Sequence, residues 1–242
     1  MTISPVWSWE GRVTSELLLI LDTSTTAGSV ALCRGEHLLA EIVVDSLANH
    51  SDQLLLHVQQ LLTEQQCTLA EVAAFAVIDG PGSFTGLRVG VTAAKGLARA
   101  CHRPLFGISS LHLLASALPY VTLPVCAFLD ARKKEIYAAT FSTATGSPCL
   151  LDGPCVLPPQ QFLAAMPVPA LFVGSGAVLY RDLIVERFGP LAIFAPGPLH
   201  TPRASSTAPL VLQRFQSGES GDPGLLLPRY IRPSDAEIAQ QK

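Results

Sequence analysis

Residues 77–91, Val-Ile-Asp-Gly-Pro-Gly-Ser-Phe-Thr-Gly-Leu-Arg-Val-Gly-Val, join an apolar strand to a helix through a loop that few side chains would tolerate. No other stretch restricts the fold as tightly. Phe75-Ala-Val-Ile78 has the composition of a buried strand end, and Gly80, Pro81, Gly82 and Gly86 impose a sharp turn that relies on positive φ or close backbone approach. Ser83 and Thr85 both have the chemistry of an N-cap, and the chain then runs from Leu87 to Ala100 through small and apolar residues without proline. The loop admits two readings. Free N–H groups at the start of a helix favour an anion such as phosphate, whereas a plain tight connection needs the same glycines. Neither Gly-x-x-x-x-Gly-Lys-[Ser/Thr] nor Gly-x-Gly-x-x-Gly is present, so glycine content alone favours the tight connection.

The helix that follows carries Arg88, Lys95 and Arg99, with Arg103 just beyond, at steps of seven and four along one side. Gly90, Ala93, Ala94, Gly96 and Ala98 keep much of its remaining surface small. Such a helix can pack closely on another, within the chain or across a subunit boundary, with its basic stripe in solvent.

Only 14% of the 242 residues are charged and 49% are hydrophobic, so a partner-covered face is expected more than for an average domain. The formal net charge of -3 gives no overall attraction to nucleic acid, and any RNA contact must be local or made by a partner. Six cysteines without a Cys-x-x-Cys pair argue against a zinc ribbon and suggest buried thiols in a reducing compartment. With no secretory pattern and no window near the ~20 apolar residues of a membrane span, a cytoplasmic location without membrane contact is expected.

Residues 1–16 show no period and suggest an N-terminal extension. Leu17-Leu-Leu-Ile-Leu21 is an apolar run of strand length ended by Asp22-Thr23-Ser24-Thr-Thr26. Two more strands through Val44 complete an antiparallel meander. Residues 49–65 predict a helix capped by Ser51, with an apolar face that includes Leu54, Leu55 and Val58. The strand, glycine loop and helix follow, then a strand to Ile108 and a helix to Leu118, giving βββαβαβα. After Pro124 the pattern starts again in reduced form, with Val125-Cys-Ala-Phe-Leu129 leading into Asp130, strands over 135–141 and 149–157, a helix at 159–165 and a strand at 170–173. The expected lobes are 17–118 and 119–242, the second including the C-terminal tail.

Two lobes that each begin with a strand ending in Asp, a Thr/Ser/Gly turn and a hairpin resemble the actin, sugar-kinase and heat-shock-chaperone ATPase superfamily. The predicted fold is therefore α/β, with a mixed sheet flanked by helices in each lobe. Asp22-Thr-Ser-Thr, His50-Ser, Gly80-Pro-Gly-Ser-Phe-Thr-Gly-Leu-Arg-Val-Gly90, Asp130-Ala-Arg-Lys-Lys-Glu-Ile-Tyr137 and Pro228-Arg-Tyr-Ile-Arg-Pro-Ser-Asp-Ala-Glu237 narrow this further, being similar to the bacterial TsaB (YeaZ) family. That resemblance implies an accessory subunit for threonylcarbamoyladenosine formation in tRNAs reading ANN codons. It implies binding, through the first lobe, to the paralogue TsaD, which transfers the threonylcarbamoyl group, with the ATPase TsaE as a further partner and tRNA met only indirectly.

The catalytic paralogue, on this resemblance, holds a metal ion with Asn-His-x-x-x-His. Here Ser110 and Leu114 stand where those histidines would be, and His112 between them cannot replace both. His50 and His57 are separated by roughly 10 Å along a helix, too far to chelate one ion. No Gly-x-Ser-x-Gly elbow is present. The expectation is therefore no catalytic residue, no metal and no cofactor of its own, with ATP, if used, at a subunit junction. Asp22, Thr23, Ser24, Gly80, Gly82, Ser83, Thr85 and Gly86 are candidate remnants of a phosphate loop. Asp22 and Asp130 are each also explained as Asx-type caps at strand ends. Arg132, Lys133 and Lys134 form a basic run, solvated or facing RNA phosphate in a complex. The expected partner interface comprises His50, Leu54, Leu55, Val58, Arg88, Val91, Ala94, Lys95 and Ala98, serving a TsaD pair or a competing homodimer. The rival from another class is an independent small-molecule kinase or ATPase using the inter-lobe cleft.

Overall fold

The computed structural model describes residues 15–45, 50–166 and 169–232. Ten strands form two five-stranded sheets, and the second repeats the topology of the first. The first sheet has the order β3-β2-β1-β4-β5, from β1 (Leu17–Asp22), β2 (Ala27–Arg34), β3 (His37–Asp45), β4 (Val72–Gly80) and β5 (Leu105–Ser109). The second has the order β10-β9-β6-β7-β8, from β6 (Val125–Asp130), β7 (Ile136–Ser142), β8 (Cys149–Leu157), β9 (Ala170–Val173) and β10 (Ala192–Phe194). In each sheet the opening strand pairs antiparallel with the next and parallel with the strand on its other side. The predicted meander, duplication and two-lobed class are all present.

Register explains why the opening strand is apolar throughout. Leu17, Leu19 and Leu21 face one core with α1 (His50–Glu64) and α2 (Phe84–Ala100), while Leu18 and Ile20 face another with α7 (Ala208–Gln216). A strand sandwiched between helices must be hydrophobic at every position. The second lobe works the same way. Val125, Ala127 and Leu129 pack with α3 (Ser110–Ser116), and Cys126 and Phe128 pack with α4 (Pro159–Ala165) and α6 (Arg181–Phe188). Its reduction lies in element length, since β9 and β10 have 4 and 3 residues and α4 has 7 against 15 for α1. A one-turn helix, α5 (Ser175–Leu179), was not expected from the sequence, nor was β10.

The lobe boundary needs correction. Ala204, Ala208, Val211 and Leu212 are buried against the first sheet, so the chain returns to the first lobe after residue 200, and at the end of the described residues Ile231 and Arg232 reach back to the second. The turn near 218–223 is held by a hydrogen bond from Leu105 N to Gly221 O at 2.8 Å. Two smaller expectations also change. The α1 helix already includes His50, so Ser51 lies within it and not at its cap. Cys33 and Cys126 are buried, and burial pushes the Cys33 thiol up to about 12, but Cys149 is exposed on β8.

Candidate functional site at the inter-lobe cleft

The turn after β1 is built inward. Asp22 is fully buried, and its Oδ1 accepts the Ser24 N–H at 2.8 Å, the Asx cap expected at a strand end. Thr23 Oγ1 donates to Gly86 O at 2.7 Å, and Ser83 N donates to Ser24 O at 2.7 Å. The turn thus lies directly on the first two turns of α2. A Cβ at Gly82 would stand 2.1 Å from Ser24 O, one at Gly86 2.0 Å from Thr23 O, and one at Gly90 2.3 Å from Thr23 Oγ1. The glycines are therefore spent on packing α2 against the chain's own turn, in agreement with the tight-connection reading. Ser83 is the N-cap, accepting Gly86 N–H at 3.2 Å, and Thr85 is an exposed residue within the helix.

Two polar atoms in this turn, Asp22 Oδ2 and Ser24 Oγ, are buried without a hydrogen-bond partner. Burial pushes the Asp22 carboxyl up to about 6. The Ser24 N–H and the Ser24 hydroxyl, which stands outside hydrogen-bonding geometry, offset this only in part.

Above the turn a cleft of about 1260 Å³ separates the lobes. Its first-lobe wall includes Ser24, Gly82, Ser83, Phe84 and Arg88; its second-lobe wall includes Asp130, Arg132 and Lys133. Asp130 repeats the Asp22 arrangement, with Oδ1 accepting Arg132 N–H at 2.9 Å. Arg132, Lys133 and Lys134 all adopt left-handed backbone, with φ of 62, 52 and 62°.

The C-terminal segment straps across the cleft edge. Lys95 Nζ donates to Leu226 O at 2.9 Å, Arg229 Nε pairs with Asp79 Oδ2 at 2.9 Å, and Arg229 N donates to Asp79 O at 2.7 Å. Gly80 (φ 132°) gives this strap room, because a Cβ there would stand 2.4 Å from Arg229 O. Beyond it Arg232 pairs with Glu135 and donates to Ala131 O at 2.8 Å, reaching the second lobe. The basic stripe of α2 is thus not simply solvated. Lys95 is held by the strap, and Arg88 donates to Tyr230 Oη at 3.1 Å.

The partner-interface assignment also changes. Leu54, Val58, Val91, Ala94 and Ala98 are between 0 and 4% exposed, locked in the core between α1, α2 and the first sheet, and cannot present a surface. Leu55 is 52% exposed and the adjoining Leu56, which periodicity did not single out, 61%. The His50 side chain lies outside the described residues. Ser110 is buried and donates to Pro81 O at 2.5 Å, and Leu114 is core. Partly buried His112 packs edge-on against Phe141, and burial, aided by Arg214 and Arg229, lowers its pKa. Among the described residues no group of three or more His, Cys, Asp or Glu is placed to hold a metal, and no helix is long and apolar enough to cross a membrane.

Two lobes of the same sheet topology that face each other across a cleft, each opening with a strand that ends in an Asx-capped Asp, define a two-lobed protein of the actin and sugar-kinase type. The family model described as TsaD: tRNA N6-adenosine threonylcarbamoyltransferase matches residues 39–240. The chain is 30% identical to the tRNA threonylcarbamoyladenosine biosynthesis protein TsaB of Bacillus subtilis, over 91% of this chain and 96% of that protein. Against the Escherichia coli protein of the same name identity is 29%, over 89% of this chain and 94% of the relative. The solved structure of YeaZ from Pseudomonas aeruginosa superposes with a TM-score of 0.76 at 32% identity, over 89% of this chain and 99% of that one. The chain belongs to the TsaB (YeaZ) family.

Proposed function

We propose that the chain is an accessory subunit in the formation of threonylcarbamoyladenosine in tRNA, binding and supporting TsaD together with TsaE and carrying no chemistry of its own. The observation that carries this reading is the packing of α2 on the Asp22–Ser24 turn. Where a nucleotide-using relative would hold phosphate on that turn, Thr23 and Ser24 carbonyls here abut Gly86 and Gly82. Ser110 and Leu114, at the positions of the metal-holding histidines implied by the resemblance, are committed to the fold. Any ATP requirement then falls at a subunit junction or on TsaE. The test is nucleoside analysis of tRNA incubated with TsaD, TsaE and threonylcarbamoyl-adenylate, with and without this chain. Modification that depends on the chain is expected; modification unaffected by its omission would overturn the reading.

For the partner face we propose the outward side of α1 around Leu55 and Leu56, and a homodimer would compete for it. Leu55→Asp should weaken TsaD pairing at least tenfold, as an exposed apolar anchor would, while changing stability by no more than about 0.5 kcal/mol. Leu54→Asp, one residue away but 4% exposed, should unfold the chain. Isothermal titration with TsaD and urea denaturation of both variants decide this. Undiminished pairing of Leu55→Asp would remove α1 from the interface.

A further inference from the structure

Residues 226–232 cross from one lobe to the other, and their two ends are held differently. In the first lobe Leu226 packs against the core shared by α1, α2 and the sheet, and its carbonyl accepts Lys95 Nζ at 2.9 Å. Arg229 bonds Asp79 twice, backbone N to Asp79 O at 2.7 Å and side-chain Nε to Oδ2 at 2.9 Å. Tyr230 packs on Phe84 with ring centroids 4.9 Å apart, and its hydroxyl accepts Arg88 Nε. The first lobe is shaped for this segment: a Cβ at Gly80 would stand 2.4 Å from Arg229 O, and one at Gly107 2.6 Å from Leu226 Cδ1. The Asp79 side chain is 1% exposed and its Oδ1 has no partner, so withdrawing Arg229 would strand a buried carboxylate.

The second-lobe end is lighter. Ile231 packs against that core while only partly buried, and Arg232 pairs with Glu135 and donates to Ala131 O at 2.8 Å. Both acceptors belong to one turn, closed independently by Ala131 N donating to Glu135 O and Glu135 N donating to Arg132 O, each at 3.0 Å. The Arg232 and Glu135 side chains are 18 and 29% exposed, so their separation leaves two charges that water can reach. Three steps of chain lead from Arg229 to Arg232, a reach of roughly 10–11 Å when fully extended. The lobes cannot part further at this edge unless one end lets go. They also share α3, whose Leu113 belongs to the first-lobe core and whose Leu111, Leu114 and Ala115 belong to the second, which makes that helix a joint for rotation.

We propose that residues 226–232 form an inter-lobe latch, fixed to the first lobe at Arg229 and releasable from the second at Arg232, which limits how far the cleft opens. Tyr230 and Arg232 themselves line the cleft, so release also clears side chains from its mouth. A segment that served only to cover the first lobe would need no anchor beyond Tyr230; the ion pair past it acts as a restraint across the cleft. The inference rests on these contacts and not on the proposed role in tRNA modification.

The experiment measures the width of the cleft in the full chain by pulsed electron–electron resonance. Spin labels are carried by non-natural amino acids at Thr26 and Val178, exposed residues that both line the cleft, and labelled chain is diluted in unlabelled chain so that only distances within one molecule are read. Wild type should give one narrow distribution. Arg232→Ala should increase the population at longer distance about tenfold, the effect of losing a charge-assisted pair and its carbonyl bond. Glu135→Ala, which leaves the Ala131 carbonyl bond in place, should act in the same direction by less, and R232A/E135A should match Arg232→Ala alone because the two side chains serve one restraint. Arg187→Ala, outside the cleft lining, should leave the distribution unchanged. Urea denaturation establishes that each variant is folded, and if Arg232→Ala does not fold, Glu135→Ala decides. A wild-type distribution in the folded Arg232 and Glu135 variants, or an equal widening in Arg187→Ala, would overturn the latch.

Discussion

Gly86→Ala should destabilise the protein by upwards of about 3 kcal/mol, or prevent its folding, although it adds a single methyl group near the start of a helix. That methyl would stand 2.0 Å from the Thr23 carbonyl oxygen. The oxygen belongs to a fully buried turn, itself fixed by the Thr23 hydroxyl bond to Gly86 O and by Ser83 N bonded to Ser24 O, so it cannot retreat without separating α2 from β1. Gly96→Ala is the contrast within the same helix. Gly96 is exposed with nothing within 4 Å of an added Cβ, and the substitution should stabilise by about 0.5–1 kcal/mol, the ordinary gain from replacing glycine in a helix interior. Urea denaturation followed by circular dichroism checks both. Equal effects of the two substitutions would mean that the turn does not sit on α2 as described.

Asp22→Asn should stabilise the protein at neutral pH, and the gain should vanish in acid. The native carboxyl titrates at about 6 against an ordinary value of 3.8, because burial disfavours its charge. A carboxyl raised in this way binds its proton more tightly folded than unfolded. Its favourable contribution is therefore full below pH 3.8 and lost as pH rises through 6. The span corresponds to about 3 kcal/mol for this wholly buried group. The amide keeps the acceptor that Ser24 N–H uses and offers an N–H in place of Asp22 Oδ2, beside the unpartnered Ser24 Oγ. The stability difference between variant and wild type, measured by urea denaturation, should grow from near zero at pH 4 to about 3 kcal/mol by pH 7.5. A difference flat across that range would mean the carboxyl is not buried and unpaired as described. Retaining a destabilising carboxylate also suggests that the turn is under a constraint other than folding, and the reconstituted modification reaction run with Asp22→Asn would expose one.

Period and punctuation made most of the fold legible. The continuous apolar run at 17–21 marked a strand, and the recurrence of a strand ending in Asp announced the duplication. The short β10 and α5 escaped because three to five residues carry too little periodicity to stand out from a loop. The candidate site was legible in part. Asp22 and the glycine loop were recognisable, but whether those glycines face a ligand or the chain itself depends on a contact between residues 63 positions apart, Thr23 and Gly86. Five residues of the expected interface, Leu54, Val58, Val91, Ala94 and Ala98, are core for a similar reason. Amphipathic spacing identifies the apolar side of α1 but cannot say whether that side meets its own sheet or a partner, and the burial of Leu54 and Val58 with Leu55 and Leu56 outside resolves it.

The sequence by itself determined the two-lobed class, the order of the long elements and the glycine-dependent turn, because each is fixed by local sterics and by the period of the apolar pattern. Only the tertiary structure decided that the chain returns to the first lobe after residue 200, that Lys95 and Arg88 on the basic side of α2 are held by the segment at 226–230, and that Phe84 and Tyr230 meet across 146 positions at the inter-lobe cleft. Those contacts join segments with no shared local signal, brought together only when the cores on the two sides of each sheet close.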